Sequence, residues 1–302
     1  MAQPDFLTLD PAGMPVLELH PFLLGTVSPR PIALASTVDA EGRPNLAPFS
    51  YFNVFSAAPP VLVFSPARRG RDNTTKHTLD NVLAVPEVVI HLVDYALVGA
   101  SSLASGDFPA GVDEFAKAGL TALPSECVRP PRVAESPVAF ECRVDRVEPL
   151  GAGAGAGNLV ICEVLRMHIR RDVLGADGRP DPALLDLVGR CGGETYVRAG
   201  GDALFVWPKP GTTPGMGVDQ LPHDIRTSRV LTGNHLALLA GLPAPPDETD
   251  VNEFKLLELA DLFLTYDGRP AELETALHRA AAAHLDAGDL ASAWKCLLAY
   301  NG

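Results

Sequence analysis

The chain has 302 residues, which is long for one domain and predicts either two domains or one large domain with an extension. Hydrophobic residues make up 47% and charged residues 20%, and this composition argues against a disordered chain. The formal net charge of -13 predicts no nucleic-acid partner, because an acidic surface repels a phosphate backbone.

The first residues, MAQPDFLTLD, have neither the basic residues nor the apolar run of a secretory leader. The most apolar stretch, residues 82–100, is interrupted by Pro86, Glu87, His91 and Asp94, so it falls short of the roughly 20 apolar residues of a spanning helix. We therefore expect a cytoplasmic protein with no membrane partner. Five cysteines without a CxxC pair predict reduced, buried thiols, with neither a disulfide framework nor a zinc site.

A hairpin is predicted near the start of the chain. Residues 31–38 have the composition of a strand, residues 39–43 that of a turn, and residues 45–55 that of a return strand. Pro48 lies inside the return strand and cannot donate a ladder hydrogen bond, so it predicts a bulge or a sheet edge with free backbone groups.

Short strands with little helix between them are predicted for the rest of the first half. In the strand with the clearest pattern, residues 139–147, apolar residues alternate with charged ones such as Glu141. This alternation predicts that one face of the strand is buried and the other is exposed to solvent. This pattern favours an antiparallel barrel over a doubly wound sheet. The predicted strands are residues 61–65, 88–93, 139–147 and 159–169, with a short helix at 78–84.

The character of the sequence changes at about residue 205. Leucine and alanine recur at helical spacing in residues 251–264, 271–285 and 289–299. The expected organisation is a barrel domain over residues 1–204 and a mostly helical extension over residues 205–302. For the extension we expect a packing or dimer-contact role.

Several common catalytic motifs are missing from the sequence. The tract GAGAGAG at 151–157 fails the GxGxxG pattern, because Ala156 and Asn158 occupy the positions where the last glycine is needed, and a hairpin loop is the better interpretation. The eight histidines are scattered, so no metal site is predicted. Neither a GxSxG motif nor a P-loop occurs.

Residues 68–78, RRGRDNTTKHT, concentrate four basic residues and three threonines just before the predicted helix. Free N–H groups at a helix start, together with Lys76 and Thr78, can hold a phosphate. The alternative is a solvated loop with a capping threonine. The loop alone leaves both interpretations open.

The loop belongs to a longer ordered series of motifs. It begins with VSPRPI at 27–32, STVD at 36–39, GRPNLAPFSYFN at 42–53 and KHTL at 76–79, and it continues through EF at 114–115, AGLT at 118–121, SP at 136–137 and EC at 141–142 to GG at 192–193. This series resembles the flavin reductase-like, FMN-binding split-barrel family over roughly residues 15–200. Residues 201–240 are similar to the extension of a longer subgroup, and no pattern matches the helices after about residue 245.

The resemblance implies a six-stranded antiparallel split β-barrel with Greek-key topology, in a homodimer that binds FMN near the subunit interface. The resemblance also implies that the protein is an enzyme, a flavin reductase that transfers a hydride from NADH or NADPH to flavin N5. Such an enzyme can supply reduced flavin to a monooxygenase. Such chemistry needs no protein nucleophile, because the cofactor carries it.

The resemblance also assigns residues. His168 would lie near the nicotinamide, as the catalytic residue. Position 77 departs from the family, which usually has aspartate there. The expected cofactor-binding residues are Lys76, His77 and Thr78 at the phosphate, Asn45, Pro48, Phe49, Ser50, Tyr51 and Phe52 along the isoalloxazine, Ser36 and Thr37 as nearby hydroxyls, and Arg30 and Arg71 as positive charges.

Two other hypotheses stay open at this point. In the first, the protein is an FMN-binding electron carrier or flavin-binding protein without direct NAD(P)H activity. In the second, it is an interaction protein whose barrel has lost flavin. The sequence does not distinguish NADH from NADPH.

Overall fold

The computed structural model describes residues 4–209 and 211–300. The chain divides into two compact units, of which the first ends at Phe205 and the second begins at Val206. No helix in those two ranges is long and apolar enough to cross a membrane.

The first unit is built on antiparallel strands. Seven of them form one sheet in the order β2-β1-β5-β8-β9-β4-β3, and two short pairs, β6-β7 and β10-β11, lie outside it. The strands are β1 (Ala33–Val38), β2 (Pro44–Phe49), β3 (Phe52–Ala57), β4 (Pro60–Phe64), β5 (Glu87–Leu92), β6 (Ala122–Leu123), β7 (Arg132–Val133), β8 (Val138–Pro149), β9 (Asn158–Ile169), β10 (Leu187–Arg190) and β11 (Tyr196–Ala199).

The prediction of a single return strand over residues 45–55 is wrong, because the structure has two strands there. Ser50 and Tyr51 separate β2, which pairs with β1, from β3, which pairs with β4. These consecutive strands therefore lie at opposite edges of the sheet, and a two-residue connection requires the edges to curl together. The result is the predicted split barrel with seven strands instead of six. Pro48 lies in the edge strand β2, where its missing N–H is tolerated.

The barrel interior is filled by the inward residues of the strands, among them Phe64, Ile90 and Cys142. The predicted wet face of β8 needs one correction, since Glu141 is 0% exposed. The segment between β6 and β7 covers it and donates the N–H groups of Glu126 and Cys127 to its carboxylate. Alternation along a strand cannot reveal such a cover.

Five helices of the described chain accompany the barrel. The predicted helix at 78–84 is present and begins one residue earlier, and two of its residues, Leu79 and Val82, belong to the barrel core. The helix before β1 was not predicted, and it has no buried residue. The helices are α1 (Val16–Thr26), α2 (His77–Ala84), α3 (Val98–Ala104), α4 (Glu114–Ala118) and α5 (Pro182–Leu185), with 3-10 turns at Pro11–Gly13, Arg171–Val173 and Gly201–Ala203.

The second unit is helical. Its core surrounds Trp294, which is 1% exposed, with Leu277 and Leu297 beside it in the same cluster. The helix predicted at 251–264 is interrupted at Leu259, whereas the helices predicted at 271–285 and 289–299 are present as Pro270–Asp286 and Leu290–Leu298. The helices are α6 (His223–Arg226), α7 (Gly233–Ala240), α8 (Glu248–Glu258), α9 (Ala260–Thr265), α10 (Pro270–Asp286) and α11 (Leu290–Leu298), with a 3-10 turn at Val218–Gln220.

The cysteines differ partly from expectation. Cys142, Cys162 and Cys296 are buried free thiols, Cys191 is half-buried, and Cys127 is exposed. Cys127 is exposed because it lies in a proline-rich surface loop between β6 and β7.

Candidate functional site

The basic loop, which connects β4 to α2, is hydrogen-bonded to the glycine tract at residues 151–157. The N–H of Arg68 donates to the carbonyl of Ala156 at 2.8 Å, and the N–H of Gly155 donates back to the carbonyl of Arg68 at 3.1 Å. A Cβ atom at Gly157 would come within 2.7 Å of Ser65 Oγ. The tract therefore supports the loop through close backbone approach, which side chains would prevent.

Two arginines stabilise the loop from inside. Arg68 Nε donates to Asn73 Oδ1 at 2.7 Å, and Asn73 has a left-handed backbone with φ 56°. Arg69 Nη1 donates to Thr74 Oγ1 at 3.1 Å, and its Nη2 lies 3.0 Å from Asp107 Oδ1. These guanidinium groups fix the loop's own conformation.

Arg71, one of the predicted cofactor residues, points outward from the loop and is exposed. It forms ion pairs with Asp72 at 3.1 Å and with Asp107, which also binds Arg69. The carboxylates lower the net positive charge at the loop surface. Asp107 was not predicted to belong to this loop, because it lies more than thirty residues away in sequence and has no local signal.

Lys76 is the N-cap residue of α2 and is half-buried. Burial, followed by the nearby charge of Arg69, lowers the pKa of Lys76. No side chain caps α2, and within residues 4–209 and 211–300 the ammonium group of Lys76 has no hydrogen-bond partner. A partly desolvated ammonium group next to uncapped helix N–H groups is suited to an anion, so this end of α2 fits a phosphate.

Three predicted residues, Asn45, Thr37 and Thr78, come together in a buried network with Asn81. Asn45 Nδ2 donates to Thr78 Oγ1 at 2.9 Å, and Asn81 Nδ2 donates to Thr37 Oγ1 at 3.0 Å. The network joins the β1-β2 hairpin to the start of α2, and Thr78 is only 1% exposed. These side chains therefore fix the position of the helix start.

Two further predicted residues lie near this network without joining it. Ser36 is fully buried, and its Oγ has no hydrogen-bond partner in the part of the chain that the structure describes. His77 lines a cavity of about 320 Å³ with Asn45, Asp80 and Glu114. Glu114 Oε2 accepts the N–H of Leu46 at 3.1 Å, and burial raises the pKa of Glu114.

Arg30 is buried and holds the end of α1. Its guanidinium donates to the carbonyl of Leu24 at 2.6 Å, to that of Cys191 at 3.0 Å and to that of Val27. Its Nε also lies 3.4 Å from Ser50 Oγ. The predicted positive charge is therefore engaged with the backbone, although it lies beside the β2-β3 connection.

The predicted isoalloxazine segment continues through that connection. Pro48, Phe49 and Ser50 line a small cavity of about 90 Å³ together with Arg190 and Tyr196. Of the remaining two residues, Tyr51 is 37% exposed and Phe52 is half-buried in the barrel wall. The carbonyl of Tyr51 accepts the N–H of Ser65 at 2.8 Å, which connects this segment to the first residue of the basic loop.

His168 lies at the other end of β9 from the basic loop. Asn158, at the start of β9, donates from Nδ2 to the carbonyl of Pro66 at 2.9 Å and so contacts the loop. His168 is ten residues further along the strand than Asn158, a path of about 33 Å at the usual rise per residue. The structure of the chain therefore does not bring His168 together with the loop.

His91 is a buried histidine whose two ring nitrogens are both in use. Nδ1 lies 2.8 Å from the carbonyl oxygen of Leu34, and Nε2 accepts the N–H of Val133 at 2.9 Å. A carbonyl can only accept, so the ring is neutral with its hydrogen on Nδ1. Burial lowers the pKa of His91 from 6.5 to about 4.

Acid should therefore destabilise the first unit. Between pH 6.5 and pH 4 the unfolded chain protonates His91 and the folded chain does not. We expect the contribution of His91 to the free energy of unfolding to fall by roughly 2 to 3 kcal/mol across this window. Urea unfolding at several pH values should show a shallower acid slope for His91→Gln than for the unaltered chain, and equal slopes would contradict the assignment.

Comparison with known proteins gives a consistent family. Residues 25–190 match the family described as flavin reductase like domain. An uncharacterized protein from Aquifex aeolicus is 36% identical over 184 residues, which cover 61% of this chain and 91% of that protein. A second relative, from Halalkalibacterium halodurans, is 37% identical over 64% of this chain and 93% of its own length.

Solved structures agree with these relatives. Nitrilotriacetate monooxygenase component B from Bacillus cereus is 30% identical with a TM-score of 0.62, and the match covers 66% of this chain and 98% of that chain. The 2-nitrobenzoate 2-nitroreductase of Pseudomonas fluorescens is 26% identical with a TM-score of 0.60, over 70% of this chain and all of that one. The family match ends before the helical unit begins.

Proposed function

Because the chain belongs to the flavin reductase-like family, we propose that it is an FMN-dependent oxidoreductase that takes a hydride from NADH or NADPH. The observation that carries this proposal is the half-buried Lys76 at the uncapped start of α2, whose ammonium group has no hydrogen-bond partner in the described part of the chain. That site suits the phosphate of FMN. We expect the protein to act in the cytoplasm, where both nicotinamide donors are available.

The chain would hold the cofactor with two kinds of group. Lys76 and the first N–H groups of α2 would bind the phosphate, and Arg71 would add positive charge nearby. Because β2 is an edge strand, carbonyl groups on its outer side could face the ring edge around Ser50, whereas the N–H of Leu46 is already bound by Glu114 and Pro48 has no N–H. Bound FMN would supply the redox chemistry, accepting hydride at the flavin ring and passing electrons on.

The protein's own task is then binding, orientation and charge. The Asn45, Thr37, Thr78 and Asn81 network keeps the start of α2 in place, so the N–H groups that face the phosphate need not reorganise on binding. No protein nucleophile is required for hydride transfer. His168 remains a predicted catalytic residue, and the proposal does not depend on it.

The phosphate site predicts a preference between two flavins. FMN should bind at least 10-fold more tightly than riboflavin, which lacks the phosphate, because a hydrogen bond to a charged group contributes about 1.5 to 3 kcal/mol. Quenching of flavin fluorescence by the full chain measures both affinities. Equal affinities would mean that the loop does not hold the phosphate.

A monooxygenase is the partner class we propose for the reduced flavin. Support comes from the similarity to nitrilotriacetate monooxygenase component B, whose name places it in such a system. If bound FMN does not react with either nicotinamide, the electron-carrier hypothesis replaces the reductase.

We further propose a homodimer, since the outer side of β3 and β4 is apolar. Val54 and Phe55 are 64% and 69% exposed, and Phe55 lines a cavity of about 590 Å³ with Val61 and Ile161. Apolar surface of this kind is typical of a subunit contact.

Phe55→Glu should therefore weaken the dimer, because it places a charge in an apolar contact. We expect the dimer dissociation constant to rise at least 10-fold. Light scattering after gel filtration measures this, with Leu103→Glu as the control, since Leu103 is a 53% exposed residue of α3. A monomer before substitution, or an equal effect of both variants, would contradict this arrangement.

A further inference from the structure

A further cavity lies on the outer side of the barrel, away from the basic loop. Its volume is about 430 Å³, and none of its lining residues belongs to the loop or to α2. His168 lines it beside two arginines, Arg132 and Arg170, and the remaining wall is largely apolar, including Leu123 and Met167. None of the residues proposed to hold FMN lines this cavity, although the predicted catalytic residue His168 does.

Glu141 holds His168 in one orientation. Its carboxylate is fully buried and lies 2.7 Å from His168 Nε2. Burial raises the pKa of Glu141, but the N–H donors of Glu126 and Cys127 together with His168 outweigh this effect and lower it. The carboxylate is therefore ionised and can only accept, so Nε2 of His168 carries a hydrogen.

The other ring nitrogen is then the one open to a ligand. His168 Nδ1 has no hydrogen-bond partner among the residues that the structure describes, and the side chain is 21% exposed. A histidine fixed by a buried carboxylate, with its far nitrogen unpaired beside a cavity, is an arrangement that binds or exchanges protons with ligands.

Each of the two arginines has a nitrogen atom without a hydrogen-bond partner among the described residues. Arg132 donates from Nε and Nη2 to the carbonyl of Pro124, and its Nε also lies 3.9 Å from Glu141 Oε1, which leaves Nη1. Arg170 donates from Nε to Asp172 at 3.0 Å and from Nη1 to the carbonyl of Glu135, which leaves Nη2. Arginine favours carboxylates, because its planar fork matches their geometry.

We infer that this cavity binds a small organic anion, a carboxylate with an apolar body, between Arg132, Arg170 and His168. The arginines would contact the carboxylate, and the ring of His168 would lie beside the bound ligand in the same cavity. The apolar wall around Leu123 and Met167 would take the body of the ligand. Glu141 is a positioning residue, since it acts through His168.

Benzoate and acetate are suitable probes, because they share the carboxylate and differ in apolar body. Titration of the full chain, followed by calorimetry and by the ring proton signals of His168, should show saturable benzoate binding. Acetate should bind at least 5-fold more weakly. Absence of saturable benzoate binding, or an unmoved His168 signal, would overturn the inference.

A matched pair of variants separates the site from general surface charge. Arg170→Gln should weaken benzoate binding at least 5-fold, whereas Arg171→Gln removes a neighbouring exposed arginine that does not line the cavity and should have no effect. Equal losses in both variants would overturn the inference.

The benzoate titration tests the anion site separately from the proposed binding of FMN. Both variants should bind FMN with the affinity of the unaltered chain, since the basic loop lies at the far end of β9. Failure of benzoate binding with FMN binding intact would overturn only the anion site, and the reverse result would overturn only the proposed reductase.

Discussion

Replacing Lys76 by glutamate should weaken FMN binding by roughly 1,000-fold. The substitution removes a charge-assisted hydrogen bond of about 1.5 to 3 kcal/mol. It also places a carboxylate near the phosphate, and two like charges 4 Å apart repel by about 4 kcal/mol at the effective dielectric of a protein surface. Lys76 is half-buried beside Arg69, so solvent screens this repulsion only in part.

Two comparisons make this result specific to the phosphate. Lys117→Glu introduces the same charge change on the exposed side of α4 and should alter FMN affinity less than 3-fold. Riboflavin should bind Lys76→Glu nearly as well as it binds the unaltered chain. A parallel loss of riboflavin binding would show that the substitution disturbs the fold, and an unchanged FMN affinity would remove Lys76 from the site.

Trp294→Ala should destabilise the helical unit by about 3 to 5 kcal/mol, because truncating a large buried side chain leaves a cavity. Trp294 is the largest fully buried side chain of this unit, and it belongs to the same core cluster as Leu277 and Leu297. Its indole N–H has no hydrogen-bond partner in the described part of the chain, so its stabilising contribution comes from packing.

Urea unfolding followed by the far-ultraviolet helix signal measures this loss without relying on tryptophan fluorescence. Leu257→Ala is the control, because Leu257 is 70% exposed on α8 and should cost less than about 0.5 kcal/mol. A loss below 1 kcal/mol for Trp294→Ala would contradict the described core. Measuring FMN affinity in the same variant tests whether the helical unit contributes to flavin binding.

The strands of the barrel could be predicted largely because strand signals are local, whereas the split-barrel arrangement followed from the family resemblance. Alternation in β8, the turn before Pro44 and the break at Pro59 and Pro60 are each visible in a few residues. The division at Ser50 and Tyr51 could not be predicted in the same way. Both halves of that run have strand composition, and only pairing with distant strands separates them.

The candidate site was predictable to a smaller extent. The basic loop was recognisable from its composition, but the residues that stabilise it were not, because Asp107 and Ala156 reach it from distant segments. Thr78 and Asn45 were assigned to the cofactor by resemblance, and the structure shows their hydrogen bond to each other. Glu141 was expected to be wet, since a covering loop leaves no mark on the pattern of the strand that it covers.

The most direct test of the proposed function is the visible absorption spectrum of the full chain loaded with FMN, recorded without oxygen before and after addition of NADH and then NADPH. The account predicts that the band of bound FMN bleaches, and the faster donor identifies the physiological nicotinamide. Bound FMN that stays oxidised with both donors, or protein that binds no FMN, would contradict it.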